Sequence, residues 1–432
     1  MAVPGPAAVC GACTDGRVST PMRTVSERAI ADRIGAIEGT SPLLVISGNF
    51  ATPWELVRLA DVSLPSCRAF VLNPQPGWPC RDGFIPETPF VGPGARHDPR
   101  LEYLPMRLSL VPRLFDSLWP PDAVLIHTSP PKGSKVSLGI EVNILPAAIE
   151  RARRSGGLVI AQVNRYMPYT SGDAEIDVDD IDLALEVDAP LPSPVTSPPD
   201  QASAAIGERV AGYATDGGTL QLGIGQVPDT AARHLGSKRR LGVWSELASD
   251  GVLRLEQAGA LDREREICAS FLFGSPELYA WVDDNPRLVM RRTEVVNDPA
   301  RIAAQPALLS VNTALQVDLF AQANASYVHG AVYSGFGGQP DFVEGALHSP
   351  GGHAVVCLRS WHDKTDTSNI VPILTVPACS FQHSVVVSEH GSAEIFGRSQ
   401  HTQAQLLIDH VADPRAQAGL WNAAGHLGLA RQ

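Results

Sequence analysis

Residues 43–60 read LLVISGNFATPWELVRLA, and this stretch decides the fold class. The apolar run Leu43–Ser47 has the character of a strand buried on both faces of a parallel sheet. Gly48 ends it, and Pro53 opens a helix, because proline fits the first turn, where no N–H is needed. The same spacing returns later: Gly48-x4-Pro53-x4-Arg58 is repeated as Gly223-x4-Pro228-x4-Arg233 behind the run GTLQL. Upstream, VSERAIADRIGAI (25–37) reads as an amphipathic helix with Ser26 as its N-cap. Strand–turn–helix alternation continues along the chain, so the class is α/β.

Further landmarks recur in order. The first half carries AVLIHTS, a glycine-containing turn (132–139), the helix PAAIERARR, Gly156-Gly157 and the strand LVIAQV. The second carries SYVHGAVYS, the turn Gly335–Gly338, a helical stretch, Gly351-Gly352 and HAVVCL. This order suggests an internal duplication, although any two α/β halves share some of the same grammar. Between them lies APLPSPVTSPPDQ (189–201), whose five prolines make a semi-rigid extended linker. The expected organisation is a disordered N-terminal extension (1–24), one domain over 25–188, the linker over 189–201 and a second domain over 202–432.

Composition narrows the function classes. The 432 residues carry 34 Lys+Arg against 46 Asp+Glu, a net charge of −12 that argues against a nucleic-acid-binding surface. The 44% apolar and 19% charged content is that of an ordinary globular protein. No apolar run approaches the ~18 residues of a membrane span, and the first residues lack the pattern of a secretory signal. Seven cysteines, an odd and scattered set, do not form a disulfide framework, and the expected setting is the cytoplasm. Cys10-Gly-Ala-Cys13 has no second C-x-x-C partner and sits in a Gly/Ala/Pro-rich tail.

Several catalytic signatures fail. Gly223-Ile-Gly225-Gln-Val-Pro228 begins like a dinucleotide fingerprint, but Pro228 replaces the third glycine. Neither a P-loop nor a G-x-S-x-G elbow occurs. His348, His353, His362 and Asp363 make no compact ligand pattern, so no metal is expected. What remains is a set of polar residues at expected strand ends. Glu246 follows the run Leu241–Trp244, at the place where the first half has Asn73 in FVLNP. By spacing alone the reading of a solvated loop residue is the better one. Ser334-Gly-Phe-Gly-Gly-Gln339 lets backbone N–H groups approach a ligand, as an oxyanion hole requires. Asn312 in LLSVNTAL and Glu389 in HSVVVSEHG stand at two further strand ends, where structural roles are common.

Together these segments resemble the acetyl-CoA hydrolase/transferase family, which includes acetate- and 4-hydroxybutyrate-type CoA-transferases. The resemblance spans roughly residues 25–430. It rests on FVGPGARHDPRLEYLPMRLS, HTSPPKGSKVSLGIEVNILPAAIE, AQVNRYMPYT, LQLGIGQVPD, SELASDG, VNTALQVDLFAQANAS and SGFGGQPDFVEGA. It implies two tandem CoA-transferase-type open-sheet domains that face each other across an active site. It also implies that Glu246, in Ser245-Glu246 with Asp250-Gly251, is the catalytic nucleophile. Gly337 and Gly338 would supply backbone donors to the thioester oxygen, and Asn312 and Glu389 would surround the nucleophile. Around Glu389 the chain reads Ser-Glu-His-Gly, where many relatives have Thr-Glu-Tyr-Gly. Gly223, Gly225, Gly335, Gln339 and Lys364 are the expected contacts of coenzyme A, which enters as substrate. No permanently bound cofactor is expected.

The resemblance implies CoA transfer from a short-chain acyl-CoA to a carboxylate through a glutamyl-CoA thioester. Hydrolysis by the same glutamate and non-catalytic CoA binding are the alternatives. A homodimer is the default assembly.

Overall fold

The computed structural model describes residues 22–194, 198–223, 225–378 and 382–430. Cys10 and Cys13 lie outside the described residues. Two large sheets organise the rest. The first has eight parallel strands in the spatial order Arg23–Thr24, Leu183–Val187, Leu158–Asn164, Ala123–Thr128, Leu43–Ile46, Cys67–Val71, Phe84–Thr88 and Glu102–Tyr103. The second runs Ser392–Glu394, Val385–Val387, His353–Cys357, Leu308–Thr313, Thr219–Leu222, Gly242–Trp244, Ile267–Ala269, Leu288–Met290 and Ser171–Gly172. Its pairs are parallel except the edge pair of Val385–Val387 with Ser392–Glu394.

Both sheets obey one connection rule. Leu43–Ile46 and Thr219–Leu222 lie at the centres, the next three strands of each set stack to one side, and the following three to the other. Strand direction therefore brings the carboxyl ends of all the parallel strands of a sheet to one edge, which is where open α/β sheets bind ligands. The apolar runs read from sequence are these strands: Leu43–Ile46 and Ala123–Thr128 are buried at every position.

Three expectations are corrected. SYVHGAVYS is not the counterpart of AVLIHTS. His329 and Gly330 both take left-handed φ, which folds Tyr327–Val328 back on Ala331–Val332 as a separate hairpin, and Leu308–Thr313 fills the sheet position instead. The expected boundary at residue 24 falls too late, because Arg23–Thr24 pair in parallel with Leu183–Ala184. Finally, Ser171–Gly172 precedes the proline-rich segment yet forms the last strand of the second sheet, beside Val289–Met290.

Helices pack where the sequence signals them. Ser26 Oγ accepts from Ala29 N–H and starts Glu27–Gly35, which buries Ile30 and Ile34. One apolar cluster joins the two halves, from Val45 and Phe70 in the first to Val243 and Val311 in the second. The rings of Phe50 and Phe273 stack across the junction. Among the described residues no helix is long and apolar enough to cross a membrane.

Candidate active site

The carboxyl edges of the two sheets enclose a cavity of about 220 Å³. One wall belongs to the first sheet's loops, with Asn49, Asn73, Phe90, Leu108 and Asn143. The other contains Gly223, Glu246, Asn312 and the turn Ser334–Gln339. Asn73 and Glu246, which follow the second strand of each set, thus line one space from opposite halves.

Glu246 is held by its neighbours in sequence. Ser245 Oγ donates to Leu222 O at 3.2 Å, and the N–H groups of Ser270 and Phe271 both donate to Glu246 O. Ser249 Oγ then accepts from Gly251 N–H and caps the helix Asp250–Gln257. Asp250 accepts from Ser275 N and Oγ, which pins that helix. The S-E-x-x-x-D-G stretch is therefore a pair of anchors around one projecting carboxylate.

That carboxylate faces the cavity but is otherwise enclosed by protein. Burial pushes its pKa up to about 7; a hydrogen bond from Asn297 Nδ2 opposes this, and the Asp341 charge adds to it. Gly338 lies so close that a Cβ there would overlap Glu246 Oε1 and Asn297 Nδ2. Gly338 is also the N-cap of the helix Gln339–His348, whose dipole favours negative charge at this end. Gly337, at φ +55°, makes the turn that brings the helix start here.

The remaining sequence candidates divide. Asn312 lines the cavity, and its Nδ2 donates to Ser310 Oγ at 2.9 Å. Gly223, Gly335 and Gln339 also line it. Gly225 does not; it caps the helix Gln226–Leu235. Glu389 lies on the same carboxyl edge but is turned aside, because Ser360 N and Oγ donate to its carboxylate. Lys364 is at the exposed tip of the hairpin formed by Trp361–His362 and Thr367–Ser368, away from the cavity lining.

Sequence reading missed a second carboxylate. Glu141 is fully buried behind the first wall and accepts from Asn49 Nδ2 at 2.8 Å and Asn143 Nδ2 at 2.9 Å. Asn73 Nδ2 in turn donates to Asn49 Oδ1. All three asparagines have positive φ, a region asparagine tolerates better than most residues. Burial raises the Glu141 pKa to about 7, against the donations from Asn143 and Asn49. Replacing Glu141 by leucine strands two buried donors, each worth about 1–3 kcal/mol. The expected result is a lower urea midpoint at unchanged slope.

Asn297 and Asp341 were also missed. Asp341 sits inside the quoted stretch SGFGGQPDFVEGA, whereas Asn297, in VVNDPA, reads locally as an ordinary helix-capping residue. Burial pushes the Cys268 and Cys357 thiols up to about 12, so neither of these two is a ready nucleophile. Among the described residues no three His, Cys, Asp or Glu side chains converge as metal ligands would.

Comparison with known proteins gives the family and the fold. Residues 274–424 match the acetyl-CoA hydrolase/transferase C-terminal domain. The 4-hydroxybutyrate coenzyme A transferase of Clostridium kluyveri is 36% identical over 335 residues, covering 75% of this chain and 77% of that one. The chain belongs to the acetyl-CoA hydrolase/transferase family. Its fold is also that of solved relatives. RipA from Yersinia pestis superposes with a TM-score of 0.84 at 25% identity, covering 94% of this chain and 100% of that chain. The 4-hydroxybutyrate CoA-transferase of Porphyromonas gingivalis gives 0.77 at 26% identity, covering 94% and 98%. Within the family match fall Asn297, Asn312, Gly337, Gly338 and Asp341, while Glu246 precedes it.

Proposed function

We propose that the protein is a CoA-transferase that moves coenzyme A from a short-chain acyl-CoA to a carboxylate acceptor, with Glu246 as nucleophile. The observation that carries this reading is a single carboxylate, largely withdrawn from water, pressed against a glycine turn at a helix N-terminus. Withdrawal from water raises the reactivity of a carboxylate, which is otherwise a poor nucleophile.

Glu246 attacks the acyl carbonyl carbon, and the C–S bond breaks to leave an acyl-glutamyl anhydride and CoA thiolate. The thiolate attacks the glutamyl carbonyl, forming the glutamyl-CoA thioester and releasing the first carboxylate. The acceptor carboxylate then attacks this thioester and runs the sequence in reverse, leaving with CoA and restoring Glu246. Each tetrahedral stage develops an oxyanion, to which the backbone N–H groups of the Gly337–Gly338 turn are the assigned donors. Asn312, which lines the same cavity, is the assigned side-chain contact for the acyl group. The small cavity suits a short acyl chain, and the asparagine wall suits one with polar surface.

The reaction requires Glu246 ionised, and its pKa stands near 7. The value of kcat/KM is therefore expected to fall as pH is lowered through about 7, one proton per active site. A pH–rate profile flat from 5 to 8 contradicts the assignment. Added carboxylate separates transfer from hydrolysis: release of free thiol from acyl-CoA at an unchanged rate without acceptor would favour the hydrolase. The acetyl-CoA hydrolase of Kluyveromyces lactis, 30% identical over 203 residues, keeps that reading in view.

A further inference from the structure

A nucleophilic carboxylate must aim one oxygen at the substrate carbonyl, and the structure holds Glu246 from behind. Asn297 is fully buried at the end of the short helix Thr293–Val296, whose backbone Trp244 Nε1 fixes by donating to Val296 O at 3.0 Å. Its Nδ2 donates to Glu246 Oε1 and to Asp341 Oδ2, the latter at 3.4 Å. An amide nitrogen carries two hydrogens, and here each has a carboxylate. Turning the amide over would set its oxygen against both negative groups, so Asp341 fixes which end faces Glu246.

Asp341 is held in turn by the other half of the chain. It is fully buried, and accepts from Ser109 Oγ at 2.8 Å and Ser109 N at 3.3 Å. Arg107 approaches within 3.8 Å while also pairing with Glu344. Between them, Leu108 N donates to Gly337 O at 3.0 Å. Three successive residues of the first half therefore grip the glycine turn and helix start of the second.

We propose that Asn297 and Asp341 are positioning residues for the Glu246 nucleophile, and that the Arg107–Ser109 segment completes this relay, tying the nucleophile's aim to the seating of one half on the other. The inference rests on the reading of Glu246 as nucleophile. The charged groups around it are Asp341 beside Asn297, Arg107 and Glu344 behind Asp341, and Glu141 beyond the opposite wall. Loss of the Asn297 donor removes what holds the Glu246 pKa down, so the acid limb must move to higher pH.

Steady-state kinetics, pH profiles and melting curves of Asn297→Ala, Asp341→Asn and Ser109→Ala test the relay. Asn297→Ala is expected to lose about 100-fold in kcat, the scale of a small misplacement of reacting groups. Ser109→Ala should lose kcat by about 10-fold with little change in KM, and Ser109→Thr, which keeps the hydroxyl, should recover it. Should Asn297→Ala not fold, Ser109→Ala and Asp341→Asn carry the test. Unchanged kcat and an unmoved acid limb in folded variants overturn the relay while leaving the nucleophile intact. A wild-type enzyme that forms no hydroxylamine-sensitive CoA adduct overturns the underlying reading instead.

Discussion

Glu246→Gln is expected to lose CoA transfer by at least about 10⁴-fold, as removal of a covalent nucleophile does elsewhere. Glutamine keeps the size and can still accept a hydrogen bond from Asn297, so the loss belongs to the chemistry and not to packing. Stability offers an independent check on the same substitution. The folded-state pKa of about 7 stands above the ordinary value of 4.5. The stabilisation from binding that proton is thus fully present below about 4.5 and is lost as pH rises through about 7. The Gln variant has no such loss. Its melting temperature relative to wild type should therefore rise between pH 4.5 and pH 8, while activity stays absent at both.

Gly338→Ala is the second large effect. The backbone φ of Gly338 is −93°, which alanine adopts without strain. The difficulty is space, because the added methyl occupies the position of Glu246 Oε1 and Asn297 Nδ2. Either the carboxylate or the turn must shift, and both belong to the reacting geometry. A fall in kcat of about 10²–10³-fold is expected, the scale of losing an oxyanion donor. Overpacking adds a stability loss of about 1–3 kcal/mol. Gly419→Ala, on the helix Pro414–His426 with open space around its Cα, is the matching control and should retain full activity. Equal activity in the two variants would remove Gly338 from the site.

The sequence exposed the strand ends well and the side-chain directions poorly. FVLNP, Leu241–Trp244 and LLSVNTAL announced themselves by apolar runs, so Asn73, Glu246 and Asn312 could be placed at strand ends before any contact was known. The repeated Gly-x4-Pro-x4-Arg spacing reflected a shared first strand and turn. By contrast, Ser171–Gly172 is two residues long and carries no periodicity, so its transfer to the second sheet left no local trace. SYVHGAVYS has the composition of a strand, but the turn at His329–Gly330 divides it. Glu389 stands at the expected edge, yet Ser360 captures its carboxylate, a contact that depends on a loop 29 residues away. Lys364 looked available because it is charged and follows a strand, but its hairpin carries it into solvent. Asn297 and Ser109 were invisible for the same reason: their partners lie 51 and 232 residues away.

The central claim is a covalent glutamyl-CoA intermediate on Glu246. Intact-protein mass spectrometry, with a short-chain acyl-CoA that the enzyme turns over and no added acceptor, tests it most directly. The account predicts a mass increase equal to coenzyme A less one water, removed by hydroxylamine or by a carboxylate acceptor and absent from Glu246→Gln. Turnover with no such adduct, or an adduct on any peptide other than the one bearing Glu246, would contradict it.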